Sequence, residues 1–228
     1  MIPLIADTLV KPGTTTTEIR VDTAQPLSTD LVGLITDACD RAEDTEGTPV
    51  VVLHLTDGGV RSQWPGKVGV HLVGKWEQAL RRLERLRGCT VAVAEGHCGP
   101  AALELLLTAD HRIAGADLAL DVSGWPGMGL YRLVHQVGLA QARRLLRHDG
   151  DLSAADLLAC GVVDETTGDT AGRVEQVADR ARLEDAAGHA VRRQLLLEAS
   201  SVAYEEALGS HLAACDRELR RNPEADCD

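Results

Sequence analysis

The stretch Val91-Ala92-Val93-Ala94-Glu95-Gly96-His97-Cys98-Gly99-Pro100-Ala101-Ala102-Leu103-Glu104-Leu105 decides the fold. Its opening residues are apolar throughout, the mark of a strand covered on both faces, and Gly96 and Gly99 then break the run. Pro100 starts a helix at a position where its missing N–H costs nothing. A strand end, a glycine turn and a helix start thus fall close together, where unpaired N–H groups and the positive end of a helix dipole suit a developing oxyanion or enolate. Glu104 lies one helical turn after Ala101, so its carboxylate and the Ala101 N–H face one small volume, the geometry for acid/base work beside a polarised carbonyl.

Working outward, residues 49–55 form a second apolar run broken only by His54 and ending at Asp57-Gly58-Gly59, and residues 76–86 read as a basic amphipathic helix between the two strands. Further upstream, residues 18–22 alternate as a short strand. Ser28 is the natural N-cap of a helix whose stripe is Leu31, Leu34, Ile35, Ala38 and Ala42. Residues 1–17 lack sustained periodicity and read as a mobile leader. Downstream, Asp110 and His111 lead into a strand at 112–114. Helices are predicted at 130–137, 139–146, 153–159 and 171–183, and two more amphipathic helices within 185–221.

Composition bounds the function classes. At 228 residues the chain fits one α/β domain, and with 44% hydrophobic and 25% charged residues it reads as a soluble globule. A net charge of -12 argues against nonspecific binding to nucleic acid or an anionic membrane. The six cysteines form no CxxC pair, and neither a secretory h-region nor a membrane-spanning run of roughly 18 apolar residues is present, so reduced thiols and a cytoplasmic location are expected.

Glu95-Gly96, Gly99, Ala101, Glu104-Leu105 and Asp110 align without a gap to the Asn-Gly-x-Ala-x-Gly-Gly-Gly-x-Glu-Leu segment and following Asp of the crotonase (enoyl-CoA hydratase/isomerase) superfamily, which this chain resembles over about residues 18–220. Gly124–Gly129 resembles that family's Pro-Gly-x-Gly-Gly turn, and Leu152–Asp156 with Gly161–Glu165 its late helix and strand. The resemblance implies an α/β fold with a crotonase-like ββα spiral core at 18–184 and a C-terminal helical oligomerisation region at 185–228, hence a homotrimer or hexamer. It also implies an acyl-CoA substrate bound with no separate cofactor.

Carried over residue by residue, the resemblance makes Ala101 an oxyanion-hole donor and Glu104 a catalytic glutamate. Ungapped alignment places Trp64 as the other donor; the residue after it is Pro65, which has no N–H, so Gly66 takes that place if the loop is shifted by two residues. Where hydratases carry a second glutamate, this chain has Asp121-Val122-Ser123-Gly124, so the second carboxylate is either absent or supplied by Asp121. The segments Trp64–His71, Lys75–Glu84 and Trp125–Met128 are similar to the small hydratase-like crotonases of the actinomycete 3,5-dihydroxyphenylglycine pathway. Those assist a type III polyketide synthase in forming 3,5-dihydroxyphenylacetyl-CoA. The resemblance implies dehydration and aromatisation of a polyketidyl-CoA in antibiotic biosynthesis, or a non-catalytic partner that enhances the synthase.

Plainer readings stand beside these. Glu104 can serve only the helix dipole, Gly96 and Gly99 only a tight turn, and Asp121 only a loop. His54, His71, His97, His111 and His135 show no metal-ligand spacing, Cys98 reads as packing under the turn, and Ser62 and Ser123 lack a nucleophile-elbow frame. Gly124–Gly129 is no dinucleotide fingerprint. The basic residues Lys67, Lys75, Arg81, Arg82 and Arg85 are either a solvated face or a partner for CoA phosphates.

Overall fold

Apolar runs such as 50–55 and 90–94 need cover on both faces, and a parallel sheet flanked by helices supplies it. The structure, a computed structural model, describes residues 8–10, 16–57, 63–124, 127–183, 186–199 and 201–221. In chain order the elements are β1 (Thr8–Val10), β2 (Thr16–Asp22), α1 (Thr29–Glu43), β3 (Val50–Thr56), α2 (Val70–Glu84), β4 (Cys89–Ala94), β5 (His97–Cys98), α3 (Ala101–Leu106), β6 (His111–Gly115), β7 (Ala119–Leu120), α4 (Gly129–Leu145), β8 (Leu152–Ser153), α5 (Ala154–Cys160), β9 (Glu165–Thr167), α6 (Thr170–Leu183), α7 (Ala186–Ala199) and α8 (Tyr204–Arg221).

The larger sheet runs β1-β2-β3-β4-β6-β9, parallel throughout except for β1, which pairs antiparallel with β2. A smaller sheet runs β5-β7-β8. Twice the chain leaves a long strand of the first sheet, adds two residues to the second and then turns into a helix: β4-β5-α3 and β6-β7-α4. This α/β repeat is the one the resemblance implied. No helix among the described residues is long and apolar enough to cross a membrane.

Alternation along each strand divides the interior in two. Val51, Leu53, Leu55, Ala92 and Ala94 join the buried faces of α1, α2 and α3. Val50, Val52, Val91, Val93 and Ile113 meet Val174, Ala178 and Ala181 of α6 on the other side.

Local signals place several elements. The Ser28 hydroxyl accepts the Leu31 N–H at 3.1 Å and starts α1 as expected. The break between the two helices expected at 130–146 falls at Gly138 (φ 76°, ψ 159°), inside the segment α4. Ser153 and Asp156 form a capping box at α5, and Gly161 ends it in the left-handed region.

Two expectations shift. Part of the stretch read as a leader is β1, and β2 begins two residues earlier than expected, at Thr16; three residues are too few to show a period. The helix expected at 76–86 starts at Val70, because its N-cap is Gly69 and no side chain marks the start. Leu196, Leu208 and Leu212 of the last helices remain exposed, and α8 buries none of its residues. The turn at Gly58 and Gly59, with Ser62 and Trp125, lies outside the described residues.

Candidate active site

All six residues of α3 are buried, Glu104 among them at 3% exposure. A carboxylate in such a place needs hydrogen-bond donors, and two indoles supply them. Trp64 Nε1 donates to Glu104 Oε1 at 2.8 Å and Trp76 Nε1 donates to Oε2 at 3.0 Å. The two rings pack edge to face with centroids 5.8 Å apart, and both are buried. Burial pushes the Glu104 carboxyl up to about 7, against the opposing pull of the two indole N–H groups and of Arg132; the Glu77 charge adds to the rise. Arg132 is itself neutralised, with Glu77 at 2.6 Å and Glu84 at 3.1 Å.

Three segments meet beside Trp64 and the start of α3. The turn at Trp64, whose peptide to Pro65 is cis, is tied to the start of α1 by a 3.0 Å hydrogen bond from the Leu27 N–H to the Pro65 carbonyl. The start of α3 is tied to the ends of β2 and β3 through Thr23: its hydroxyl donates to the Thr56 carbonyl at 2.9 Å and accepts the Gly99 N–H at 2.8 Å. Gly124, in the loop after Asp121, is wedged between the other two, since a Cβ there would stand 3.0 Å from both the Trp64 and the Pro100 Cβ atoms.

Of the residues singled out in the sequence, Trp64 and Glu104 are in direct contact, and Ala101 is on the same short helix. Ala101 is fully buried, and its N–H has no acceptor among the described residues; the same holds for the Trp64 backbone N–H. Asp121 accepts the Ser123 N–H at 2.7 Å in a turn within its own loop, and no hydrogen bond or ion pair joins it to Glu104 among the described residues. Sequence reasoning missed Trp76, which reads as one more apolar position on its helix, and Thr23, whose hydroxyl organises the turn.

The histidines lie apart. His54 meets Glu18 at 3.1 Å, His111 meets Glu165 at 2.5 Å, and His97 meets Asp57 at 2.6 Å and Asp151 at 3.1 Å. Among the described residues no group of three His, Cys, Asp or Glu is placed to hold a metal. The Cys98 thiol donates to the Leu55 carbonyl at 3.3 Å, and burial pushes it up to about 12, so it packs rather than attacks. Arg82 pairs with Asp40 and Glu43. Arg81 and Arg85 line a cavity of about 640 Å³ between α2, α4 and α7, with the tilted ring pair Tyr131 and His135 opposite; Glu104 does not line it.

No family model matches the chain. Solved structures share its fold: an enoyl-CoA hydratase from Shewanella pealeana (TM-score 0.81, 14% identical, covering 94% of this chain and 88% of that one) and one from Mycobacterium smegmatis (TM-score 0.80, 15% identical, covering 94% and 91%). An enoyl-CoA hydratase/isomerase from Marinobacter aquaeolei aligns with TM-score 0.78 at 17% identity, covering 93% and 91%. Identities this low speak for the fold alone. An Amycolatopsis orientalis protein named Enoyl-CoA-hydratase is 44% identical over 208 residues, covering 89% of this chain and 95% of that protein. At that identity and coverage, the chain belongs to the enoyl-CoA hydratase family, the crotonases that its segment around Glu104 resembles.

Proposed function

We propose that the chain is a hydratase- or dehydratase-type lyase acting on an acyl-CoA thioester, with Glu104 as the group that moves the proton. The observation that carries this reading is a buried carboxyl held at about 7, poised to take and return a proton at neutral pH, on the same short helix as a buried N–H that has no acceptor among the described residues. In the dehydration direction Glu104 takes the Cα proton. The thioester oxygen gathers negative charge against the Ala101 and Trp64 N–H groups, and the Cβ–O bond then breaks. The departing hydroxide takes the proton back from Glu104, leaving an enoyl thioester, water and the original carboxylate. CoA enters as part of the substrate, and no separate cofactor takes part. Glu104→Gln is expected to lower turnover of a β-hydroxyacyl-CoA by about 10²-fold or more while preserving the fold; full retained activity rejects the assignment.

The substrate proposed is a polyketidyl-CoA, dehydrated and aromatised to 3,5-dihydroxyphenylacetyl-CoA in the cytoplasm for antibiotic biosynthesis. It is supported by the resemblance of Trp64–His71 and Lys75–Glu84 to the small hydratase-like crotonases. Exposed leucines on α7 and α8 support a homotrimer or hexamer built on those helices.

A second reading is favoured by a specific observation. Both Glu104 oxygens already accept an indole N–H, and Asp121 is engaged in its own turn, as expected of a crotonase-fold partner that enhances a type III polyketide synthase without catalysis. The purified chain, assayed with and without the synthase, separates the two. Turnover by the chain alone excludes the pure partner, and an effect seen only with the synthase and surviving Glu104→Ala excludes the enzyme.

A further inference from the structure

Trp64 and Trp76 reach Glu104 from different kinds of support. Trp64 sits in a turn, whereas Trp76 is carried by α2, whose buried residues Ala79, Leu80 and Leu83 fix the helix on the core. Packing alone does not require an indole at position 76, since a phenyl ring fills most of the same space; among the described residues only the indole N–H reaches the second carboxylate oxygen. We infer that Trp76 is a positioning residue: its N–H, delivered from a rigid helix, fixes the orientation of the Glu104 carboxylate and sustains its ionised form in a buried site. The inference rests on the proposed role of Glu104 for its catalytic meaning, while the hydrogen bond stands without it.

With one oxygen held by α2 and the other by the Trp64 turn, the carboxylate plane cannot rotate without breaking a buried hydrogen bond. The charges nearby act in opposite directions, and both weigh less than the indole donors. Arg132 of α4 favours the ionised form, Glu77 of α2 disfavours it, and Glu84 shares the Arg132 guanidinium. Against the desolvation that raises this carboxyl, the indole donors are therefore the main opposing force.

The test removes the N–H and keeps the shape. Trp76→Phe, and incorporation of 3-benzothienylalanine at position 76 with sulphur in place of the N–H, are compared with the unaltered protein by infrared titration without substrate. The carboxyl band of Glu104 is identified by its loss in Glu104→Gln. Its midpoint, about 7 in the unaltered protein, is expected to rise by about one pH unit or more when the donor is lost. An unmoved midpoint in the benzothienyl protein, or the absence of a titrating band that Glu104→Gln removes, overturns the inference. Retained turnover in Glu104→Gln instead overturns the proposed function and leaves this titration untouched.

Discussion

Gly99 and Thr23 meet backbone to backbone: a Cβ on Gly99 would stand 2.2 Å from the Thr23 carbonyl oxygen. That oxygen is main chain and cannot swing aside. Gly99→Ala is therefore expected to push the start of α3 away from β2 and to destabilise the fold by about 1–3 kcal/mol, read from urea unfolding. Turnover should fall with it, because Ala101 and Glu104 move with the helix.

The Thr23 hydroxyl, at the centre of the same contact, is buried. Thr23→Val keeps the shape but leaves the Gly99 N–H without its acceptor, a loss of about 1–3 kcal/mol by the same measurement. Thr23→Ser, which retains the hydroxyl, should recover most of it.

Glu104 makes stability depend on pH in a known direction. Its carboxyl rises from an ordinary value of 4.5 to about 7 on folding, so between these values the folded state holds a proton that the unfolded state has released. The Glu104 contribution is complete below about pH 4.5 and declines as pH rises towards 7, by about 3 kcal/mol across the window. Unfolding of the native protein and of Glu104→Gln at a series of pH values isolates this slope, because other groups titrate alike in both.

The same carboxyl sets a kinetic expectation. A base that must be ionised to take the Cα proton gives a kcat/KM that falls as pH drops through about 7. The limb should disappear in Glu104→Gln. A profile flat from pH 6 to pH 8 in the native protein rejects Glu104 as the base.

Arg193 anchors α7. Its guanidinium is buried between the Asp110 carboxylate and the carbonyls of Leu86 and Gly88. Burial alone raises the Asp110 carboxyl, but the His189 contact, Arg193 and Thr90 together hold it below the usual range. Arg193→Ala strands that charge and is expected to destabilise by about 2–4 kcal/mol and to speed hydrogen exchange across α7.

Much of the architecture was legible because it follows from local rules. Ser28 before an apolar stripe, the interruption at Gly138 and the helix expected at 153–159 each follow from residues close to one another. The segment around Glu104 was legible through resemblance, which also singled out Trp64, a residue the structure sets against Glu104. Trp76 was not, because its partner lies 28 positions away and an indole on a helix stripe looks like any other apolar side chain. The side-chain contact of Trp64 with Glu104 was not legible for a related reason: alignment speaks only of a backbone N–H there. Likewise β1, only three residues long, exists through its pairing with β2.

The division of β3 and β4 between two apolar interiors has a consequence for strand pairing. A strand polar on one side is punished for slipping one residue along its neighbour, since every side chain changes face. Val50, Val51, Val52 and Leu53 are apolar towards both sides, so a slip would carry little such penalty. Polar anchors must then set the alignment: the Asp110 carboxylate on the Thr90 N–H and hydroxyl near the beginning of β4, and Thr23 on the Thr56 carbonyl at the end of β3. These end stops fix the phase of the sheet, and with it the level at which α3 presents Glu104.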